Sequence, residues 1–175
     1  MREDMPPRGH VARALNRIDT AWDRVWSERL AHYSRHRALE IAATLLGGQE
    51  PRYAEVAVDE SDEQAPSFEL VVIADDRIVQ VVGPINDDVW PVGELFPRHE
   101  LRRLELRKTR LESVSSQEPR SESAAVTLHF DAADIGLPLS SDPMGQAAKA
   151  LADHVADLIA DRMGGSGAEG APASP

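Results

Sequence analysis

The stretch FELVVIADDRIVQVV, residues 68–82, constrains this chain more than any other feature. Two runs rich in Val and Ile flank Asp75-Asp76, which predicts a β-hairpin with strands near 68–74 and 77–83. Asp tolerates positive φ better than most residues, which suits a two-residue turn. Along the first strand Leu70, Val72 and Ala74 would face one side, and Val71 and Ile73 the other. Both sides are apolar, so a strand covered on both faces is expected.

The flanking sequence changes period. Residues 1–9, with Pro6-Pro7 and Gly9, read as a loose leader. From His10 to Leu46 there is neither Pro nor Gly, and most residues favour helix. Val11, Leu15, Ile18, Trp22 and Val25 recur at 4-3-4-3 spacing, one side of a helix. After Ser34, a candidate N-cap, the pattern restarts with Leu39, Ala42, Leu45 and Leu46. One long helix, or two with a break near 33–36, is expected, ended by Gly47-Gly48.

Tyr53 to Val58 alternates as a strand does, and an acidic loop over 59–67 follows it. Trp90 to Phe96 has room for a short strand or turn. Residues 98–114 read either way: Leu101, Leu104 and Leu111 fit a helix, whereas Leu104 and Leu106 alternate. Strands are favoured, with 109–116 and 124–130 forming a hairpin around a polar loop. Residues 143–163 predict a closing helix, with Asp142 as N-cap and Pro143 at its first position. Its apolar face is Ala147, Leu151, Val155, Leu158 and Ile159, and its acidic stripe is Asp153, Asp157 and Asp161. The division expected is a flexible leader (1–9), a helical region (10–47), an α+β domain (50–163) and a disordered tail (164–175).

Charge and composition exclude more than they assign. With no cysteine, disulfides, thiolate catalysis and iron–sulfur chemistry are ruled out. No run is apolar for the ~20 residues that a membrane-spanning helix needs, and the N-terminus lacks the apolar core of a signal peptide. A cytoplasmic protein is expected. The Arg bias, with Lys only at 108 and 149, points to a GC-rich bacterial genome. The net charge of −11 is uneven: +2 over 1–40, −10 over 41–97, +4 over 98–110 and −7 over 111–175. Nucleic acid and anionic lipid should be repelled unless the island at 98–110 overrides that field.

Helical leader, strand, hairpin, further strands and a closing helix together resemble a bacterial pleckstrin-homology-like (PH-like) domain. The residues carrying the resemblance are Phe68 to Val82, Pro91-Val92 leading into Leu101 to Leu106 as the next strand pair, and Ala147 to Ile159. It implies an α+β fold: an N-terminal helix or helix pair, a bent antiparallel sheet closing as a barrel, and a C-terminal capping helix. Lipid-binding members of that family carry Lys and Arg in the loop between their first two strands. Here that loop begins Asp59-Glu60-Ser61-Asp62-Glu63, so lipid binding is not expected. The competing fold is the acidic α+β type of secretion chaperones, which requires 98–111 to be helical.

Candidate chemistry is sparse. His32 and His36 stand one helical turn apart, but the sequence HYSRH lacks the Glu of a zinc-protease helix, and no third ligand is evident. His129, Asp131 and Asp134 could form an acid/base or metal cluster, or simply end a strand in turn chemistry. No catalytic residue, cofactor site or metal site is assigned, and an enzyme without a recognisable motif is the third choice. The partner-binding candidates are Trp22 and Trp26, one turn apart, with Arg102, Arg103 and Arg107 of the basic island. The expected function is a non-catalytic protein-binding or scaffold module, with self-association as a homodimer open. An acidic chaperone-like module for a partner protein is the alternative.

Overall fold

The protein is described here from a computed structural model that defines residues 7–18, 32–62, 64–86, 88–110, 122–137 and 139. Among the described residues two helices, α1 (Pro7–Ile18) and α2 (His32–Leu46), precede seven strands. Strands β1 (Tyr53–Asp59), β2 (Ser67–Ile73), β3 (Arg77–Pro84) and β4 (Val92–Pro97) form one antiparallel meander in that order. Strands β5 (Arg103–Arg110), β6 (Glu122–His129) and β7 (Asp134–Leu137) form a second. The class is mixed α+β.

The layering follows from the alternation in β2. Phe68, Leu70, Val72 and Ala74 join Val79 and Val81 of β3 in a core shared with Val11 and Leu15 of α1 and with Leu39, Ala42 and Leu46 of α2. Val71 and Ile73 point the other way. They join Tyr53, Ile78 and Phe96 in a second core against Val126, Leu128, Phe130, Ile135 and Leu137 of the three-stranded sheet. The four-stranded sheet therefore lies between helices and a second sheet, and β2 is covered on both faces as its sequence predicts.

The hairpin has the expected two-residue connection, with Ile73 opposite Ile78 and the Ala74 N–H donating to the Arg77 carbonyl at 2.9 Å. Its conformation is not the expected one. Among the described residues only Gly47 and Gly48 have positive φ, so Asp75-Asp76 turns without the left-handed region. Arginines hold the tip instead. Arg52 pairs with the Asp75 carboxylate at 2.9 Å, and Arg77 with that of Asp76 at 2.6 Å. The Arg98 side chain donates to the Asp75 carbonyl and its backbone N–H to the Asp76 carbonyl, at 2.8 and 2.7 Å.

Several other expectations need correction. Helix α1 starts at Pro7, the position that tolerates a missing N–H, so the leader ends before residue 9. Helix α2 runs unbroken through 33–36, and Ser34 is not its cap. Ser34 is buried within the helix, and its Oγ donates to the Asn86 carbonyl at 3.1 Å, tying α2 to the loop before β4. The expected end at Gly47-Gly48 stands, with the Gly47 N–H donating to the Thr44 carbonyl and the Gln49 N–H to that of Leu46.

The barrel expected from the PH-like resemblance is not what the described residues build. β4 pairs with β3 and β5 with β6, so β4 and β5 are not a strand pair. The reason lies in the link between them. Pro97 has no N–H to continue a ladder, and a single 3₁₀ turn, Arg98–Glu100, follows it. Leu101 then drops into the second core, carrying the chain from one sheet to the other. Residues 103–110 are strand, so the helix that the secretion-chaperone alternative requires over 98–111 is absent. The expected closing helix over 143–163 lies outside the described residues.

Glycine at 93 is required by packing. A Cβ there would collide with Ile41 and lie 2.8 Å from Leu45 Cδ1, both on α2. Gly93→Ala is expected to cost about 1–3 kcal/mol, through displacement of α2 from the sheet. Val72→Asp places an unpaired charge in the first core and should cost about 3–5 kcal/mol. Thermal unfolding followed by circular dichroism checks both. A Val72→Asp protein as stable as the parent would refute the core assignment.

Candidate interaction surface

Strand alternation sorts the exposed apolar residues of this fold. The large exposed hydrophobics among the described residues are Val82, Val89, Trp90, Val92 and Leu95. All but Val82 lie on β4 or in the loop leading into it. β4 is an outer strand of its sheet, and among the described residues nothing pairs with its free side. Leu95 stands opposite Val79, whose side chain belongs to the helix-side core, so Leu95 shares that face. Trp90 is 60% exposed, and the Arg37 guanidinium of α2 lies 4.5 Å from its ring centroid. Arg37, Trp90 and Leu95 thus mark the rim where α2 meets the sheet edge. Val82 and Val92 face each other across β3 and β4 on the opposite face.

This surface was not among the sequence candidates. Trp90 to Phe96 is legible as a short strand, but its place at the sheet edge depends on which strands pair. Trp22 and Trp26 lie outside the described residues. The Arg candidates are described in part. Arg102 binds Asp131 through both Nε and Nη2, the shortest contact being 2.6 Å. That hydrogen bond and the opposite charge hold the Asp131 carboxyl below its ordinary range and push Arg102 up. Arg103 binds Glu105 at 2.8 Å. The β5 register puts Arg103 and Glu105 on one side of the sheet, Arg102 precedes the strand, and Arg107 lies within it. Part of the basic island is therefore neutralised by its own neighbours. The acidic stripe Asp153, Asp157 and Asp161, an alternative neutraliser, lies outside the described residues.

Among the described residues, those with catalytic or metal potential do not come together as one centre. Asp131 is engaged by Arg102, whereas His129 Nδ1 lies 2.8 Å from Asp134 Oδ1. His129 Nε2 is 3.7 Å from Glu105, which itself accepts from Arg103. His32 and His36 both lie on α2, and among the described residues no group of three or more His, Asp or Glu side chains is placed to hold a metal ion.

One titratable pair is deeply buried. The Tyr53 hydroxyl donates to Glu55 Oε2 at 2.7 Å, and the Leu139 N–H donates to the same oxygen at 2.8 Å. Tyr53 is fully buried and Glu55 is 5% exposed. Burial first, then the Glu55 charge and hydrogen bond, push the Tyr53 phenol far above its ordinary value. Shut between two sheets, this pair serves the core rather than a substrate.

No protein-family model, curated protein or solved structure matches the chain.

Two outcomes follow from these electrostatics. A tyrosine whose folded pKa lies above its unfolded value of about 10 gives stability that is complete below that pH and lost as pH rises beyond it. Tyr53 should therefore form phenolate only as the fold opens in alkali, and Tyr53→Phe should unfold at higher pH. Phenolate absorbance and circular dichroism, read together along a pH titration, check this. For the basic island, no salt-sensitive binding to anionic vesicles or duplex DNA is expected at physiological salt. Binding that disappears in an Arg102→Ala, Arg103→Ala, Arg107→Ala protein would move the function to membrane or nucleic-acid recognition.

Proposed function

We propose that this protein is a non-catalytic protein-binding module that takes its partner along the β4 edge, and that the first such partner is a second copy of the chain. One observation supports the reading most: among the described residues, the exposed large hydrophobics gather on β4 and its leading loop, and nothing pairs with the outer side of that strand. Exposed apolar edge strands are costly because they recruit other strands, and proteins usually blunt them with charge or cover them. Trp90 has the character of an interface anchor: large, amphipathic, with an Arg stacked on its ring. Partners that add a strand gain main-chain hydrogen bonds from the edge and specificity from neighbouring side chains.

The reading does not depend on the PH-like resemblance, which rests on sequence pattern. The excess negative charge argues against polyanions as partners. A second copy is equally acidic, so association would have to come from apolar contact and strand pairing and should strengthen with added salt.

Sedimentation velocity on the full chain tests the proposal. The parent should sediment as a dimer over a micromolar concentration series, more completely at higher salt. Trp90→Ala combined with Leu95→Ser should give a monomer with an unchanged circular dichroism spectrum. A parent that is monomeric throughout refutes self-association, and a variant that dimerises like the parent refutes the β4 site.

A further inference from the structure

The hairpin turn decides which main-chain groups β4 directs outwards. Ala74 and Arg77 flank the turn and are hydrogen-bonded, so every second pair beyond them, Val72 with Val79 and Leu70 with Val81, directs its N–H and C=O groups inwards between β2 and β3. Ile78, Gln80 and Val82 therefore direct theirs at β4, where they meet Phe96, Glu94 and Val92. The bond from the Arg98 N–H to the Asp76 carbonyl continues the same alternation. Gly93 and Leu95 are left with N–H and C=O aimed away from β3, along the edge with which nothing pairs among the described residues. Pro97 closes this window at one end, because it has a carbonyl but no N–H. Pro91 closes the other. It lies against Gly83, where a Cβ would come within 2.9 Å of the Pro91 Cα, and so carries the ladder one residue beyond β4.

We infer that the second copy adds antiparallel to β4 with the two-fold axis through Gly93, an inference that rests on the self-association proposed above. An axis at Gly93, Glu94 or Leu95 would in each case bond the Gly93 and Leu95 N–H groups of both copies, so side chains decide among the three. At Glu94 the axis sets two carboxylates directly opposite, in the kind of pair whose side chains come closest. At Leu95 it joins Leu95 to the partner's Leu95, but it leaves Trp90 about 17 Å away along the strand, opposite the 3₁₀ turn that follows Pro97. At Gly93 it sets Leu95 opposite the partner's Pro91 and next to the partner's Trp90, on the side that both share with α2. Both exposed anchors are then covered. Glu94 faces the partner's Val92, itself 63% exposed, rather than a second carboxylate. Gly93 brings no side chain to the axis, and Ile41 and Leu45 of α2 lie over it so closely that a Cβ would strike them. These two residues are only partly buried, so the two α2 helices would meet along them above the joined strands.

Because the chain has no cysteine, single engineered cysteines report the register directly. Full-length Val92→Cys and Glu94→Cys proteins, one carrying a tag that alters its mobility, would be mixed and mildly oxidised. Facing residues of a non-hydrogen-bonded pair have Cα atoms about 4.5 Å apart, inside the limit of about 7 Å for a disulfide. The mixture should therefore give a bridged dimer of one tagged and one untagged chain. Glu94→Cys alone, whose two copies lie on a diagonal, should not bridge, and neither should Leu95→Cys alone. Bridging by either of these single variants alone, or no bridge from the mixture, would overturn the axis at Gly93. Amide exchange of the parent chain separates that outcome from failure of the underlying reading. The Gly93 and Leu95 N–H groups should gain protection as concentration rises through the range of dimerisation. If they do while the cysteines report another register, strand pairing at β4 stands and only the axis falls. A chain that dimerises without that protection, or that stays monomeric, overturns both.

Discussion

The structure depends on the two-sided burial of β2. Its even-numbered residues from Phe68 to Ala74 are packed under the helices, while Val71 and Ile73 belong to the core between the sheets. An antiparallel strand with one wet face would need only one layer above it. This one leaves no tolerable arrangement with fewer than two, because exposing either set returns apolar side chains to water at about 1.5–3 kcal/mol each. Helices and second sheet are thus two answers to one strand. A register slip by one residue would exchange both sets of partners at once, so the pairing is strongly specified.

At the hairpin tip the layers are brought into fixed relation. Arg52 enters β1, Arg77 opens β3 and Arg98 begins the link to the second sheet, and all three converge on Asp75-Asp76. Arg77 also donates to the Leu45 carbonyl in the last turn of α2, where a cation suits the negative end of the helix dipole. Hydrogen bonding from Arg77 is the main reason the Asp76 carboxyl lies below its usual range. Arg52, Asp75 and Asp76 are well exposed, and exposed pairs contribute only about 0–1 kcal/mol. Their effect is directional. They complete a turn that does not use positive φ, and the backbone N–H of Arg98 starts the path away from β4.

How much of this was legible in the sequence differs by scale. The hairpin, its residue-by-residue facing and the helix stop at Gly47-Gly48 were legible, because each is set by local pattern. Turn type was not: the left-handed preference of Asp was overruled by arginines 23 residues away in either direction, at 52 and 98. Ser34 reads locally as a cap and is instead a tertiary contact to Asn86. The separation of β4 from β5 turns on Leu101, whose burial depends on a core shared between residues 53–96 and the distant residues 126–137. The candidate surface was the least legible. Val92 and Leu95 look like core residues until β4 is known to be an edge, since alternation reports a face and not what covers it.

Charge separates the two exposed regions that remain. Along 98–103 the cations are met close by: Arg98 by the turn carbonyl of Asp75, Arg102 by Asp131, Arg103 by Glu105. That leaves little unbalanced positive field there to attract a polyanion, and the surrounding segments are strongly negative. The β4 rim has the opposite character. Val89, Trp90 and Leu95 are apolar and exposed, and Arg37 is occupied over the Trp90 ring. A ligand recognised mainly by charge has no purchase on such a surface, whereas a strand or an apolar side chain from another protein does. The same physics that demands cover for both faces of β2 is thus only partly satisfied among the described residues, where apolar side chains of β4 and its leading loop stay exposed.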